Sequence, residues 1–187
     1  MRILESGVDI SHQYAKKVIK EGDFVVDATA GNGNDTLFIA KHVGESGHVY
    51  CFDIQTQALE NTRKKIEKNN MQERVSFICD GHQNMDKYID QNIKLVVFNL
   101  GYLPGGDHAI HTRPSTTIQA IEKSLALICK NGIVIVVVYY GADSGFEEKD
   151  AVLKYLKQLD CKKYSVLMHQ YINQVNCPPI AICIEKI

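Results

Sequence analysis

Three aspartates close three apolar runs: Asp27 ends "FVVD", Asp53 ends "HVYCFD" and Asp80 ends "RVSFICD". A fourth run, "IKLVVFN", ends on Asn99 and opens the stretch "NLGYLPGGDH". Parallel α/β sheets collect their ligands at the C-terminal ends of the strands. Carboxylates and an amide recurring at such ends therefore point to a polar ligand with a reaction beside it. After the first run comes "ATAGNGNDT", where Gly31 and Gly33 permit positive φ around Asn32 and let backbone amides approach a ligand. Asn34, Asp35 or Thr36 can cap the helix that follows.

Two ligand classes use a strand, a glycine turn and a helix in this order. A dinucleotide sets its pyrophosphate on the helix N-terminus and wants a third glycine for close packing. Thr36 stands at that third position, and Asp27 places negative charge at the strand end. A carboxylate there opposes a pyrophosphate and suits the ammonium of S-adenosylmethionine, which favours that cofactor over a nicotinamide. Asp53 can accept from both ribose hydroxyls, a feature common to both classes. Asp80 can accept from an adenine amino group, with Gly81 and His82 alongside.

Asn99 suits methyl transfer to an amine. Such a transfer is an in-line displacement at a sulfonium methyl, so the protein's task is to hold the nucleophile close and aligned. A primary alkylamine has a pKa of about 10 in water, and an apolar pocket favours its neutral form. The neutral amine needs acceptors for its N–H groups and none for its lone pair. The side-chain carbonyl of Asn99 is one such acceptor and the backbone carbonyl of Leu100 is another. Tyr102, three residues on, can stack on a splayed-out base. "NLGY" parallels the Asn-Pro-Pro-Tyr loop of amino-group methyltransferases, with Leu-Gly in place of Pro-Pro. In the rest of the loop, Gly105 allows close approach, Asp107, His108 and His111 are possible proton acceptors, and Arg113 can meet an RNA phosphate. Ser115 and Thr116 are placed to cap the next helix.

These residues need strands and helices in alternation to bring them together, and the chain supplies them. Strand-like runs at 23–28, 48–53, 74–80, 93–99 and 132–141 are separated by helix-like stretches at 34–42, 56–70, near 84–89 and at 115–131. The last of these helices is expected to end at Gly132. A helix follows in "FEEKDAVLKYLKQL", and "YSVLMHQYI" and "PIAICIEKI" close the chain as an antiparallel strand pair. A leading amphipathic helix is expected in "DISHQYAKKVIK". The pattern predicts one α/β domain over residues 1–187, with a Rossmann-like, seven-stranded and mostly parallel sheet.

Composition narrows the function classes. The 187 residues carry a formal charge of −1, so no global basic field marks a nucleic-acid binder. An RNA partner would use local patches: Lys16, Lys17 and Lys20; Arg63, Lys64, Lys65 and Lys68; or Lys162 and Lys163. No apolar run approaches the roughly twenty residues that span a bilayer, and the start of the chain lacks a signal-peptide h-region, so a cytoplasmic protein is expected. Six cysteines form no CxxC pair and read as buried free thiols; no metal site is expected.

"DATAGNGNDT", "FDIQ", "DGH" and above all "NLGYLPGGDH", with the threonines that follow it, resemble a bacterial family of small class I methyltransferases. That family carries the label rRNA methylase, and its assigned reaction is methylation of 5-aminomethyl-2-thiouridine in tRNA. The resemblance covers almost the whole chain. It implies S-adenosylmethionine as cofactor and the anticodon stem-loop of tRNA as partner. It also implies cofactor binding by Asp27, Gly31, Gly33, Asp53 and Asp80, with their neighbours Asn32, Asn34, Asp35, Thr36, Gln55, Gly81 and His82 and with Asn99. Asn99 and Tyr102 fall on the substrate side, and Gly105, His108 and Arg113 are placed there by the loop they share. A methyltransferase of an rRNA base or a small amine is the alternative, and a non-catalytic module that keeps the cofactor pocket is a further one. The oligomeric state stays open, with a homodimer as one expected assembly.

Overall fold

The computed structural model describes residues 3–101, 112–141 and 145–187. Helix α1 (Gly7–Val18) precedes β1 (Phe24–Asp27), α2 (Asn34–Val43), β2 (His48–Phe52), α3 (Thr56–Glu67), β3 (Val75–Ile78) and β4 (Ile93–Leu100). Then come α4 (Pro114–Leu127), β5 (Ile128–Val138), α5 (Gly145–Leu156), β6 (Tyr164–His169) and β7 (Ile180–Lys186). The strands form one seven-stranded sheet in the order β3-β2-β1-β4-β5-β7-β6. The first five run parallel, and β7 lies antiparallel between β5 and β6. The expected terminal pair is present, but its second strand is the inner one. Its burial pattern explains the order: Ile180 to Ile184 are all buried, whereas β6 leaves Val166, Leu167 and Met168 exposed at the sheet edge.

Alternate residues of each central strand enter opposite cores. Val25, Leu95, Val97, Ile133 and Ile135 pack under α1, α2 and α3 with Ala15, Ile39, Ala40, Leu59 and Ile66. Val26, Val96, Phe98, Val134 and Val136 pack under α4 and α5 with Ile121, Leu125, Val152 and Leu156. Both faces are covered, which is why β4 and β5 read as unbroken apolar runs. Helix α1 opens with a capping box between Ser6 and Asp9. It buries Gly7, Ser11 and Ala15, spaced four apart, and that stripe of small residues lets it lie close against the sheet.

Two expectations about helix ends fail. Helix α4 stops at Leu127, and β5 begins at Ile128, four residues before Gly132. Ile128 pairs with Ile93, and the next pair is Leu95 with Ile133, so residues 129–132 stand opposite Lys94 alone. Asn131 takes the left-handed conformation (φ 58°) within this bulge, and Lys94 Nζ donates to its carbonyl at 2.7 Å. The polar "KN" thus belongs to a strand irregularity and does not mark the end of the helix. At the front of α4, Arg113 is the N-cap and Pro114 occupies the first turn; Ser115 and Thr116 make no cap, and Thr116 Oγ1 donates back to the Arg113 carbonyl. The described cysteines are all free, but only Cys51 and Cys183 are buried; Cys79 and Cys161 are exposed. Among the described residues no helix is long and apolar enough to cross a membrane, and no cluster of His, Cys, Asp or Glu could hold a metal ion.

Candidate active site

The strand register brings Asp27, Asp53 and Asn99 to one edge of the sheet. Asp27 pairs with Val97 on one side and Cys51 on the other, and past these pairs Ala28 N–H donates to Val97 and Ala30 N–H to Phe52. The glycine turn is therefore anchored across both neighbouring strands before α2 begins. Gly31 and Gly33 both take positive φ, 53° and 72°. At Gly33 a Cβ would also come within 2.8 Å of Thr62 Cα, so the position excludes side chains twice over. Gly33 is the N-cap of α2 without any side-chain capping bond. Asn34, Asp35 and Thr36, expected to cap, are all occupied elsewhere.

Helix α3 holds the turn from above. Thr62 Oγ1 donates to the Gly31 carbonyl at 3.1 Å, Asn61 Nδ2 donates to Asn32 Oδ1 at 3.1 Å, and Lys65 Nζ donates to Asn34 Oδ1. Asp27 holds it from below: its carboxylate is fully buried and accepts from Thr36 Oγ1 (2.6 Å) and Thr29 N–H (3.2 Å). Burial first, and the nearby Asp35 charge second, push the Asp27 carboxyl up to about 7.

Asp53 accepts from the amides of Gly31 and Gln55, both at 2.9 Å, and burial raises its carboxyl above the ordinary range. Gln55 is the N-cap of α3, and Ile54 beside it is an exposed apolar side chain. Asp80 lies past the end of β3 and accepts from Asn84 Nδ2 (2.8 Å), Tyr88 OH (2.8 Å) and Gly81 N–H (2.7 Å). The Asn84 and Tyr88 donors hold it below the usual carboxylate range. His82 is buried edge-on to Phe98; its Nδ1 donates to the Ala28 carbonyl at 3.2 Å, and burial lowers its pKa.

Asn99 is fixed at both ends. Its backbone N–H donates to Thr29 Oγ1 and its Nδ2 to Asp35 Oδ2, both at 2.7 Å. The other oxygen of Asp35 accepts from His12 Nε2 at 2.5 Å. Tyr102, Gly105 and His108, with Asp107 and His111, lie outside the described residues. The ends of that stretch are described: Thr112 N–H donates to the Gly101 carbonyl, and Gly101 N–H donates to Thr112 Oγ1, both at 3.0 Å. Buried Glu148 accepts from Thr112 and Thr117 hydroxyls at 2.6 Å each, which pins this junction to α4 and α5. Arg113 follows it, exposed. Two cavities, of about 340 and 430 Å³, lie between the residues before α1 and the segment around Tyr171 or His169; none of the three strand-end aspartates nor Asn99 lines them.

A family model described as "Putative rRNA methylase" matches residues 49–185. The chain belongs to this family. It is 32% identical to an Arabidopsis thaliana tRNA (mnm5s2U34)-methyltransferase, over 97% of this chain and 70% of that one. A "putative rRNA-methylase" from Clostridium thermocellum is 57% identical and superposes with a TM-score of 0.98 over the whole of both chains. A "putative methyltransferase" from Streptococcus mutans, solved in complex with SAH, is 40% identical, with a TM-score of 0.91 over 99% of this chain and all of that one. The protein is thus a methyltransferase with the Rossmann-like class I fold expected from its strand and helix order.

Two residues beside this candidate site escape sequence reading. His12 sits on α1, 23 residues from Asp35, and only tertiary packing brings them together. Tyr139 follows β5 directly, with its amide donating to the Leu100 carbonyl at 3.1 Å, and the residue is 42% exposed. Burial first, and then the charge of Asp35, the residue that holds the Asn99 side chain, raise its hydroxyl pKa. The signal available in the sequence was the polar or amphipathic "YY" closing an otherwise aliphatic run.

Proposed function

We propose that the protein methylates the aminomethyl nitrogen of 5-aminomethyl-2-thiouridine at the wobble position of tRNA, giving 5-methylaminomethyl-2-thiouridine. The cofactor is S-adenosylmethionine, and when bound it supplies a sulfonium methyl for displacement. The residues present fit it: a cradled glycine turn, a half-buried carboxylate at Asp53 for ribose hydroxyls, the exposed Ile54 as an apolar wall, and Asp80 with His82 on the adenine side. Asp27, with its two oxygens given to Thr36 and Thr29, acts on the ammonium through the turn it shapes.

The observation that carries the reaction class is the Asn99 amide. With Nδ2 given to Asp35, the group it offers a substrate is the carbonyl Oδ1, an acceptor. A neutral amine donates an N–H to that acceptor and keeps its lone pair for the methyl carbon. The C–N bond forms as the C–S bond breaks, the electron pair returns to sulfur, and the product leaves as a secondary ammonium. The tRNA nucleoside itself is supported by the plant relative's reaction and by the resemblance of the "NLGYLPGG" loop.

The test is to incubate the protein with S-adenosylmethionine and tRNA bearing 5-aminomethyl-2-thiouridine, then digest and weigh the nucleosides. A gain of one methyl on that nucleoside is expected. Methyl gain on an rRNA base or a free amine instead, with this nucleoside unchanged, would move the substrate elsewhere.

A further inference from the structure

We infer that His12 is a positioning residue that acts through Asp35 to hold the Asn99 carbonyl toward the nucleophile, which makes the leading helix α1 part of the active site. The inference rests on the amine-methylation reading and assigns a part to a residue outside the strand-end pattern. Asp35 is the second residue of α2, and its two oxygens point to different elements: Oδ1 to His12 on α1 and Oδ2 to Asn99 on β4. A carboxylate only accepts, so His12 Nε2 carries a proton toward it, as does Asn99 Nδ2.

The imidazole is held in place on its flat face as well. It lies parallel to Phe38 at 3.9 Å between centroids and 6° between planes. Phe38 stands one turn beyond Asp35 on the same side of α2, so one helix supplies both the stacking surface and the acceptor. Phe38 is itself held: Lys16, one turn along α1, sits 5.7 Å from the Phe38 ring, and His42 tilts against that ring at 4.4 Å. These contacts fix the ring plane, which fixes Nε2, which fixes the Asp35 carboxylate.

The consequence is a choice between two amide orientations. A free asparagine can turn either its carbonyl or its NH₂ toward a ligand at little cost. An NH₂ turned toward an amine would donate to the lone pair that must attack. Asp35 accepts only from the NH₂ and so selects the productive orientation; His12 prevents the carboxylate from swinging away from it. Asp35 and His12 together thus tune the site for a nucleophile that donates hydrogen bonds.

His12→Leu and His12→Gln test this, because glutamine can still donate to Asp35. In single-turnover methyl transfer to an anticodon stem-loop carrying 5-aminomethyl-2-thiouridine, His12→Leu should slow the saturated rate by about tenfold, with His12→Gln within about threefold of wild type. The Kd for S-adenosylhomocysteine, the half-saturating RNA concentration and the thermal midpoint should stay at wild-type values in both. Equal loss in the two variants, no loss in His12→Leu, or loss that tracks cofactor affinity would overturn the role. A second readout needs no turnover: in ¹⁵N spectra, the Asn99 side-chain amide protons should be shifted and slow to exchange in wild type and His12→Gln, and not in His12→Leu. Should the wild type leave that RNA unmethylated, the proposed substrate fails while the amide signal still decides the coupling; unchanged Asn99 signals in His12→Leu would reject it.

Discussion

A primary amine shows a protein two different faces, N–H groups that donate and a lone pair that must stay free to attack. In the proposed reaction Asn99 meets the first without engaging the second, because Asp35 holds its NH₂ at 2.7 Å. Asn99→Ala should therefore cut methyl transfer by about a hundredfold while leaving cofactor affinity within about twofold, read by single-turnover kinetics beside calorimetry. Asp27 makes a different prediction. Its carboxyl is raised to about 7 by burial and by Asp35, whereas an unfolded aspartate titrates at about 3.9. Between those values the folded protein keeps a proton that the unfolded chain has released. The stability this group contributes is full below about pH 4 and is lost as pH rises toward 7. Asp27→Asn keeps an acceptor for Thr36 and removes the titration. Urea denaturation should show the wild type losing stability relative to the variant across that window; a difference constant with pH would contradict it.

The elements are built to keep such residues still. Gly33 combines φ of 72° with a Thr62 backbone atom 2.8 Å from where a Cβ would lie. Gly33→Ala should cost at least about 1–2 kcal/mol in chemical denaturation and weaken cofactor binding, since the turn must move to relieve both constraints. Glu148→Ala should cost about 2–3 kcal/mol by leaving the Thr112 and Thr117 hydroxyls without their acceptor, and should impair turnover through the junction at Gly101. Much at this scale is legible in the sequence. Asp27, Asp53 and Asn99 are each the polar residue that breaks an apolar run at or next to the C-terminal end of its strand, and the two turn glycines stand where positive φ is needed. What is not legible depends on partners far along the chain. Asp35 reads as a cap because nothing nearby in sequence reveals His12 or Asn99. "CKNG" reads as a helix end because the lone Lys94 opposite it belongs to another strand.

For the whole molecule, strand and helix alternation predicts the parallel sheet, and burial of Ile180–Ile184 then decides which closing strand lies inside. Charge is distributed rather than global, so the RNA of the proposed reaction would be met by a patch. On α3, Arg63 lies over Phe77 at 4.2 Å and Lys65 is bonded to Asn34, so both are engaged with the fold. Helix α1 carries exposed Lys16 and Lys17, with exposed Lys20 just past its end, beside the His12 that reaches the site. Lys17→Ala combined with Lys20→Ala should weaken tRNA binding and reduce the salt slope by about 1–2, with Lys64→Ala combined with Lys68→Ala close to wild type. Equal effects of the two pairs would remove α1 from the RNA surface.

The proposed reaction requires an amine presented by a wobble nucleoside. Its most direct measurement compares single-turnover methyl transfer to two anticodon stem-loops that differ only at that position, one with 5-aminomethyl-2-thiouridine and one with 2-thiouridine. Transfer to the first alone, cut about a hundredfold in Asn99→Ala with S-adenosylhomocysteine still bound, is the predicted result. Comparable transfer to the loop that lacks the amine would contradict it.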